Sequence, residues 1–401
     1  MDLKEIEKYI SDLYRDEDRF KQVKTKTHHK KRLSIESVLR IFSKRAKFLF
    51  LSMWDYVLLK FLLQVSVKSI SDKRIVFTAK SFCTVKEGAL EDRIVKPLFT
   101  ENILFINQSK EYSLKRINGQ RVYNLGGIVK LVSLIAYKGD SQLMRTFRAY
   151  RAVNDSILKY LNDIELYMLC FYDLNSFALI FSKFRMNIKL VEVQHGSIIN
   201  YPPYAKPAPI RIADIFYVKN KQTIEYLKTH LNSNFSAEYR LMPYPKRSSE
   251  FVPGLHLLYA STLEFNGIHS VLLNFLMQNS FSDLHLIIRL HPRERDKESI
   301  FAKQLVGLNV NFEFDHSKDW LEDNTISNLI VISPWSSTLE DAYDNGFVAI
   351  TIDEVGKERF NHYIDNARFF YSDNLEQHYP TLMEAPLLPE IIYLHQLACK
   401  V

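Results

Sequence analysis

Short apolar runs alternate with amphipathic segments along most of the chain, and this alternation is the main clue to its fold. Each run has the length of a buried strand, whereas segments such as 267–279 and 337–345 have helical spacing. Strands that are apolar throughout indicate parallel sheets covered by helices on both faces. The runs form two series: 74–79, 101–107, 164–172 and 188–194, then 255–261, 284–290, 328–333 and 347–352. The pattern therefore predicts two α/β domains in tandem.

The ends of the chain differ from these two series. Residues 1–70 contain no Gly or Pro and have charged, amphipathic spacing, which predicts a basic helical region. A stretch around 233–253, with prolines and small polar residues, is the expected seam between the domains. We therefore expect a helical region, two domains and a C-terminal helix that packs back on the first domain. The boundaries of these four parts are 1–70, 71–240, 250–385 and 386–401.

The charge of the chain indicates its possible binding partners, and the cysteines indicate its redox compartment. The formal net charge is +7, and residues 24–47 carry many Lys and Arg but only one acid, Glu36. Such a run suits anionic lipid, nucleic acid or a polyanionic substrate, or it forms a solvated helix face. Cys83, Cys170 and Cys399 are far apart and lack metal-ligand spacing, which indicates a reducing compartment.

Residues 48–67 are the one candidate for a membrane span. Asp55 and Lys60 lie in the middle of this segment, where each would cost several kcal/mol in a bilayer. The charged N-terminus also does not resemble a signal peptide. We therefore interpret 48–67 as a buried or surface-associated helix, and we expect a cytoplasmic protein, peripheral on the inner face of the membrane.

Ligands of open parallel sheets bind at the carboxyl ends of the strands, so polar residues there are the candidates for chemistry. Neither series contains GxGxxG or GxxxxGK[ST], so neither a dinucleotide fingerprint nor a P-loop is indicated. In the second domain, "LIIRLHPRE" places Arg289, His291 and Pro292 at a strand end. Arginine and histidine can donate to phosphate oxygens, although a His-Pro pair also simply terminates a strand.

A second strand of this domain ends in "ISPWSSTLE", and Ser337 with Glu340 has the spacing of a capping box. Hydroxyl groups at a helix N-terminus can also bind anions, so this segment is a candidate phosphate site. Ser261 and Thr262 follow the first strand of the domain. They lie either in a solvated loop or in the lining of the same phosphate pocket. The hydroxyl candidates of the two segments are Ser333, Ser336, Ser337, Thr338, Ser261 and Thr262.

In the first domain, Asp173 follows a strand and serves either as a helix N-cap, a role that Asn175 could also fill, or as a general base. The later segment "KLVEVQHGSIINYPPY" carries Glu192 within its strand and a polar lip after it. Its glycine allows either an unusual backbone conformation or the close approach of a ligand. "YPPY" forms either an aromatic lip for a sugar ring or a structural turn. The lip candidates are Gln194, His195, Gly196, Tyr201 and Tyr204.

Five segments in order, "VEVQHGSI", "YPPY", "IADIFYVKN", "IIRLHPRE" and "ISPWSSTLEDAYDNGFVAITID", resemble a known family. They are similar to glycosyltransferases of bacterial capsule and surface-carbohydrate synthesis that have the GT-B fold. That group includes Kdo transferases, sialyltransferases, polysialyltransferases and, more distantly, the polyol-phosphate polymerases of teichoic acid synthesis. The resemblance covers residues 74–355 and implies two Rossmann-like doubly wound domains that face each other across a cleft.

The resemblance also implies roles for the candidate residues. His291 and Ser336 or Ser337 would contact the phosphate of a nucleotide-sugar donor, and the first domain would bind the acceptor. Sialyltransferases of this type often carry an acidic-acidic-glycine motif. This chain has "YDLN" there, so Asp173 matches the first acid, but the second acid and the glycine are missing. Both the base and a CMP-sialate donor therefore stay open.

These observations lead us to expect a glycosyltransferase that needs neither metal nor cofactor, because no Asp-x-Asp lies in the predicted cleft. Asp173, and next Glu192, would deprotonate the acceptor, and His195 would orient it or share the role of base. The donor would be a nucleotide sugar, CMP-linked for an acidic sugar such as sialic acid or Kdo. The acceptor would be a surface polysaccharide, O-antigen, lipopolysaccharide or lipid-linked glycan, and we expect no nucleic-acid partner.

Three rival functions stay open. A polyol-phosphate transferase would share the fold but transfer the donor phosphate itself. A sugar-nucleotide 2-epimerase, also built from two Rossmann-like domains, would need no acceptor. A non-catalytic nucleic-acid-binding protein would use the basic run 24–47, although no recognised binding module surrounds that run.

Overall fold

The computed structural model describes most of the chain in two compact units. Unit 1 comprises residues 1–198 and 202–243, and unit 2 comprises residues 199–201 and 244–401. His195, the three cysteines and the predicted helix 386–401 lie outside the described residues. The described ranges are 3–21, 35–65, 74–78, 103–108, 116–117, 120–137, 139–169, 171–194, 196–205, 207–208, 210–231, 237–242, 250–278, 284–308, 310–317, 320–323, 325–364 and 368–378.

Unit 1 is a doubly wound α/β domain. The sheet has the strand order β3-β4-β2-β1-β5-β6-β7-β8, and all of its pairs are parallel except β3 with β4. The strands are β1 (Arg74–Thr78), β2 (Ile103–Asn107), β3 (Arg116–Ile117), β4 (Gln120–Asn124), β5 (Ile164–Met168), β6 (Ile188–Val193), β7 (Ile215–Val218) and β8 (Glu238–Leu241). The helices are α1 (Leu3–Lys21), α2 (Ile35–Val65), α3 (Gly126–Ile135), α4 (Gln142–Leu158), α5 (Leu174–Ile180) and α6 (Lys221–His230).

The N-terminal helices are part of unit 1, and polar contacts hold α2 there. Asp55 accepts hydrogen bonds from the Arg121 guanidinium at 2.9 Å and from the backbone and side-chain nitrogens of Asn124 at 3.0 Å. Ser52 Oγ accepts a bond of 3.0 Å from the backbone N–H of Ile128. The acid that disfavoured a membrane span is therefore a buried anchor between α2 and β4. None of the described helices is long and apolar enough to cross a membrane.

Unit 2 has the strand order of a Rossmann domain. All pairs of its sheet are parallel, in the order β11-β10-β9-β12-β13-β14. Counted within the unit, this is the order 3-2-1-4-5-6. The strands are β9 (Leu255–Ala260), β10 (Leu284–Arg289), β11 (Asn311–Phe314), β12 (Leu329–Ser333), β13 (Val348–Thr351) and β14 (Phe369–Tyr371). The helices are α7 (Ser270–Gln278), α8 (Glu298–Leu305), α9 (Trp320–Asp323), α10 (Thr338–Asp344) and α11 (Glu354–Arg359).

The core of unit 2 lies on both faces of this sheet because successive side chains of a strand point to opposite faces. Leu257 and Tyr259 of β9 pack with one buried cluster, which includes residues of α7 and α8. Leu258 and Ala260 pack with a second cluster, which includes Trp320 and residues of α10. The predicted fold class, α/β with two Rossmann-like doubly wound domains and an N-terminal helical region, is therefore confirmed.

Candidate functional site

The winding of unit 2 reverses between β9 and β12, because the connections run from β9 toward β10 on one side and from β12 toward β13 on the other. Such a switch point opens a crevice at the carboxyl ends of the strands, where open α/β sheets bind ligands. Ser333, at the end of β12, is fully buried and its hydroxyl donates a bond of 2.7 Å to the carbonyl oxygen of Ala260, at the end of β9. Ser333 Oγ in turn accepts the backbone N–H of Ser336 at 3.0 Å. Ser333 thus holds the two strand ends together.

A buried carboxylate organises the segment after β10. Ser261 Oγ donates to Glu294 Oε2 at 2.9 Å and accepts the backbone N–H of His291 at 2.7 Å. Glu294 is fully buried, and Lys297 Nζ lies 3.2 Å from its other oxygen. The hydroxyl of Ser261 therefore supports the His-Pro turn, so its expected place in a solvated loop is wrong. Sequence reasoning missed Glu294 because its partner lies 33 residues away in the chain.

The ring of His291 has a defined tautomer when it is neutral. Its Nδ1 accepts the backbone N–H of Arg293 at 3.2 Å, so the proton lies on Nε2. His291 is half-buried and Pro292 is exposed. The ring can therefore offer an N–H donor at the edge of the sheet, which suits a phosphate oxygen.

Thr262 follows Ser261 at the switch point and has different surroundings. Its side chain is buried, with 4% of the residue exposed, and Oγ1 has no hydrogen-bond partner among the described residues. A buried hydroxyl without a partner costs free energy, so such groups commonly bond to water or to a ligand. Of the candidates in unit 2, Thr262 has the clearest unused hydrogen-bonding capacity.

Arg289 is held by protein rather than presented to a ligand. Its Nη1 lies 2.5 Å from Asp315 Oδ2 and donates to Ser317 Oγ at 3.0 Å. This pair joins the end of β10 to the residues that follow β11. Asp315 and Ser317 therefore give Arg289 a structural role, and its contact with a donor stays a prediction.

The start of α10 is built differently from the predicted capping box. Ser337 occupies the N-cap position with helical dihedral angles, and its side chain makes no capping bond. Instead, Ser336 Oγ forms a bond of 2.9 Å with Thr338 Oγ1 and accepts the N–H of Thr338 at 3.3 Å. The expected Ser337–Glu340 box is wrong, and Glu340 is buried. Ser336, Ser337 and Thr338 are half-buried near the switch point, as a phosphate site would require.

Residues at the end of β13 and after it adjoin the segment between β12 and α10. The sequence did not single these residues out. Thr351 Oγ1 donates to the Pro334 carbonyl at 2.6 Å. A Cβ on Gly356 would lie 2.0 Å from that carbonyl oxygen, so only glycine fits there. His269 Nε2 lies 3.6 Å from Asp353 Oδ2, and burial lowers the pKa of His269 against the opposing effect of Asp353. Thr351 and Gly356 therefore pack against the segment between β12 and α10, and the His269–Asp353 pair joins the residue before α7 to the segment after β13.

In unit 1, Asp173 follows β5 and occupies the N-cap position of α5. Its carbonyl accepts the first helical hydrogen bond, from Phe177 N at 2.9 Å, whereas its carboxylate makes no capping bond. The strand β5 pairs with β1 at the point where the winding of unit 1 reverses. Asp173 is half-buried and lies beside that switch point, where a general base for an acceptor would be useful.

Glu192 is surrounded by protein and does not suit the role of general base. It is 1% exposed, and its Oε1 accepts hydrogen bonds from the Tyr204 hydroxyl and from the backbone N–H of Phe171. Burial raises the pKa of its carboxyl to about 8, although both hydrogen bonds lower it in part. The acid is therefore mostly protonated at neutral pH. Tyr204 is also buried, with the Phe171 ring 5.1 Å away, so its predicted role as an exposed sugar-binding lip is wrong.

Gln194, Gly196 and Tyr201 are the remaining lip candidates among the described residues. Gln194 is buried, donates to the Gly196 carbonyl at 3.0 Å and accepts the N–H of Lys219 at 2.8 Å, so it clamps β6 to β7 instead of facing an acceptor. Gly196 does not have a positive φ, and a Cβ there would meet nothing within 4 Å. The backbone does not require glycine there, and the close approach of a ligand stays a prediction. Tyr201 is half-buried, and its expected acceptor contact stays a prediction.

A cavity of about 790 Å³ lies in unit 1, away from these candidates. It is lined by residues before β6 and β7, including Arg185, Arg211 and Asp214. Arg185 and Arg211 both pair with Asp214, at 2.8 and 3.2 Å. Because this cavity lies at the amino ends of the strands, we do not assign the chemistry to it.

Within the described part of the chain, no group of three His, Cys, Asp or Glu side chains is placed to hold a metal ion.

Comparisons with known proteins found structures of similar architecture but no match in sequence. No protein-family model and no curated protein matches the chain. A UDP-GlcNAc 2-epimerase from Neisseria meningitidis, solved with UDP-GlcNAc, has 10% identity and a TM-score of 0.43, over 78% of this chain and 93% of its own. The lipopolysaccharide galactosyltransferase WaaB has 10% identity and a TM-score of 0.46, over 78% and 89%. A sucrose-phosphate synthase from Thermosynechococcus elongatus has 12% identity and a TM-score of 0.42, over 78% and 92%. These similarities are too distant to assign a function.

Proposed function

We propose that the chain is a GT-B glycosyltransferase that binds a nucleotide-activated sugar in unit 2. The observation that carries this proposal is the switch point of unit 2, where Ser333 joins the ends of β9 and β12 and a buried hydroxyl, Thr262, has no partner among the described residues. Doubly wound sheets bind nucleotides at such points. The order of the His-Pro and Ser-Ser segments supports the same reading.

The donor phosphate would lie between the His291 turn and the start of α10. His291 Nε2–H, the hydroxyl of Thr262 and the hydroxyls of Ser336 and Ser337 would donate hydrogen bonds to its oxygens. These donors are strongest where the leaving phosphate gains charge as the sugar departs. The Glu294–Ser261 pair would act on the donor indirectly, by holding the backbone of the His-Pro turn.

Asp173 is the proposed base. It would take the proton of an acceptor hydroxyl while the hydroxyl oxygen attacks the anomeric carbon, and the bond from that carbon to the phosphate oxygen would break. The nucleotide would leave with the bonding electron pair. His195 would orient the acceptor. Glu192 is reassigned to holding Tyr204, because it is 1% exposed and its Oε1 already accepts hydrogen bonds from Tyr204 and Phe171.

The finer assignments follow the resemblance of the sequence motifs. The donor would be CMP-linked, with an acidic sugar such as sialic acid or Kdo, and transfer would need no metal ion. The acceptor would be a capsule polysaccharide, O-antigen, lipopolysaccharide or lipid-linked glycan. Such acceptors would place the enzyme in the cytoplasm, at the inner face of the membrane.

Product mass identifies the reaction most sharply. The wild type would be incubated with each nucleotide sugar, with and without glycan acceptors, and products would be weighed by mass spectrometry. An acceptor heavier by one sugar supports the proposal. A phosphodiester product indicates a polyol-phosphate transferase, and conversion of the nucleotide sugar alone indicates an epimerase. Asp173→Asn should lower the transfer rate roughly 100-fold or more while nucleotide binding persists, and unchanged transfer would remove Asp173 as the base.

A further inference from the structure

Helix α2 has two faces, and the described part of unit 1 covers one of them. The inner face has helical spacing and is buried, and it comprises Ser52, Asp55, Leu59 and Leu63. The outer face is more than one-third exposed at every position, and it comprises Phe50, Leu51, Met53, Trp54, Val57 and Phe61. A helix face of large apolar side chains is ordinarily covered. The outer face of α2 therefore has the composition of a contact surface.

The most exposed of these side chains form a continuous stripe. Phe50, Trp54, Val57 and Phe61 are spaced by four, three and four residues, so they lie on one side of successive helical turns. They are 69%, 56%, 61% and 62% exposed. At about 1.5 Å per residue the stripe is roughly 16 Å long. With Met53 at its edge, we call these five residues the outer stripe. Isolated exposed apolar residues are common, but a contiguous row marks an interaction site.

The outer stripe is presented in a fixed orientation because the inner face is locked. Asp55 is buried against Arg121, with 2.9 Å between their side chains. A Cβ on Gly127 would lie 2.6 Å from Ser52 Cβ, which shows how closely α2 approaches α3. Rotating or lifting α2 would expose an ion pair and break this close contact. Among the described residues of unit 1, none covers the outer stripe, so its partner must come from outside them.

Positive charge borders the outer stripe. Lys47 precedes Phe50 by three residues and is exposed. Lys60 lies beside the stripe, with its Nζ 5.1 Å from the Tyr56 ring. None of the exposed residues from 46 to 64 is acidic. The basic run 24–47 extends into the N-terminal part of α2, which begins at residue 35. Glu36 is the one acid of this run. Aromatic and aliphatic side chains flanked by cations are typical of helices that lie in the headgroup region of anionic membranes.

We propose that the outer stripe of α2 docks on an anionic lipid bilayer, with the helix lying in the plane of the interface. A second copy of the chain is the rival occupant. It would bring a second run 24–47 and a second net charge of +7 against the first. A stripe about 16 Å long and one helix wide also offers less area than the roughly 800 Å² that each partner of a standard interface buries. This inference deepens the membrane part of the proposed function and is independent of the sugar chemistry.

Flotation of the full chain with lipid vesicles tests the proposal. Vesicles of phosphatidylglycerol and phosphatidylcholine in equal parts would be compared with pure phosphatidylcholine. The stripe variant would be Phe50→Ser, Trp54→Ser and Phe61→Ser. The matched control would be Met186→Ser, Met277→Ser and Val306→Ser, which removes three apolar side chains that are 92%, 62% and 78% exposed elsewhere.

We expect the wild type and the control to float with the anionic vesicles. The partition coefficient of the stripe variant should fall by about tenfold or more. Quenching of Trp54 fluorescence in the wild type by brominated lipids is a second readout that needs no stripe variant. Because α2 lies outside unit 2, the thermal shift of the stripe variant with nucleotide separates a failure of this proposal from a failure of the donor site.

Three results would overturn the proposal. The first is a wild type that ignores anionic vesicles and shows no Trp54 quenching. The second is a stripe variant that floats as the wild type does. The third is a wild-type dimer in sedimentation velocity that the stripe variant converts to a monomer while flotation stays unchanged, which would assign the outer stripe to a second copy.

Discussion

The hydroxyl of Ser333 donates a hydrogen bond of 2.7 Å to the carbonyl oxygen of Ala260, across the point at which the winding of unit 2 reverses. Ser333 ends β12 and Ala260 ends β9, and both are buried. The segments that leave these two strands carry the candidate donor residues. A bond between the strand ends therefore fixes the spacing of the site as well as the stability of the sheet.

Ser333→Ala should lower the free energy of unfolding by about 1–3 kcal/mol, because it removes the bond to Ala260 and the acceptor for the Ser336 N–H. Ser337→Ala is the matched control, since the Ser337 side chain makes no capping bond and its loss should cost less than about 0.5 kcal/mol. Urea denaturation measures both changes. Equal stability of the two variants would contradict the bridging role of Ser333.

Thr262→Val should weaken nucleotide binding without weakening the fold. Valine has nearly the same shape and removes a buried hydroxyl that has no partner in the described structure, so the free energy of unfolding should stay level or rise. Loss of one hydrogen bond to the ligand should lower the affinity about tenfold. Thr351→Val, which removes the bond to the Pro334 carbonyl, should instead destabilise the protein. A nucleotide affinity unchanged in Thr262→Val would show that this hydroxyl lies outside the donor site.

Glu192→Gln should become more stable relative to the wild type as the pH rises. Burial raises the pKa of Glu192 from 4.5 to about 8, so the folded chain holds a proton between these values that the unfolded chain has lost. The stability that this proton contributes is complete below pH 4.5 and is lost as the pH rises toward 8. The difference between the variants should grow by up to about 1.4 kcal/mol per pH unit over that window. Urea denaturation from pH 5 to pH 8 measures it, and a constant difference would contradict the burial of this acid.

Two glycines should respond to alanine in opposite ways. Gly356→Ala should cost about 1–3 kcal/mol or more, because its Cβ would overlap the Pro334 carbonyl and the Thr351 hydroxyl. Gly196→Ala should leave the free energy of unfolding nearly unchanged, because its Cβ would meet nothing within 4 Å. Transfer by Gly196→Ala should nevertheless fall if the acceptor approaches the backbone there. Full activity in that variant would remove Gly196 from the acceptor site.

Periodicity predicted the strands that are mostly apolar, namely β1, β2, β5, β6, β9, β10, β12 and β13, but it did not predict β4 and β7, which also lie inside the first sheet. The runs 255–261 and 328–333 became β9 and β12 with a shift of one residue at one end. Edge strands were not predicted. β8 and β11, "EYRL" and "NFEF", are half-exposed and place polar residues among the apolar ones, so they lack a continuous apolar signal.

The candidate site was only partly predictable. The sequence shows which residues lie at strand ends, but it does not show which other residues they contact. Ser333 could be placed at the end of a buried strand, but nothing in the sequence links it to Ala260, 73 residues away. The role of Arg289 could not be foreseen for the same reason, since Asp315 lies 26 residues further on. Tyr204 follows a Pro-Pro pair that indicates a surface turn, yet its ring fills the core beside Glu192. Tertiary partners decide which strand-end groups remain available for a ligand.

Calorimetric titration of nucleotides into the wild type and His291→Ala tests whether unit 2 binds a nucleotide at its switch point. CMP, CDP, UDP, GDP and dTDP would each be titrated, with the cytidine nucleotides expected to bind most tightly. We expect at least one of them to bind the wild type and its affinity to fall about tenfold in His291→Ala, because a charge-assisted hydrogen bond to phosphate is lost. No binding by the wild type, or equal affinity in the two proteins, would contradict a nucleotide site at the switch point of unit 2.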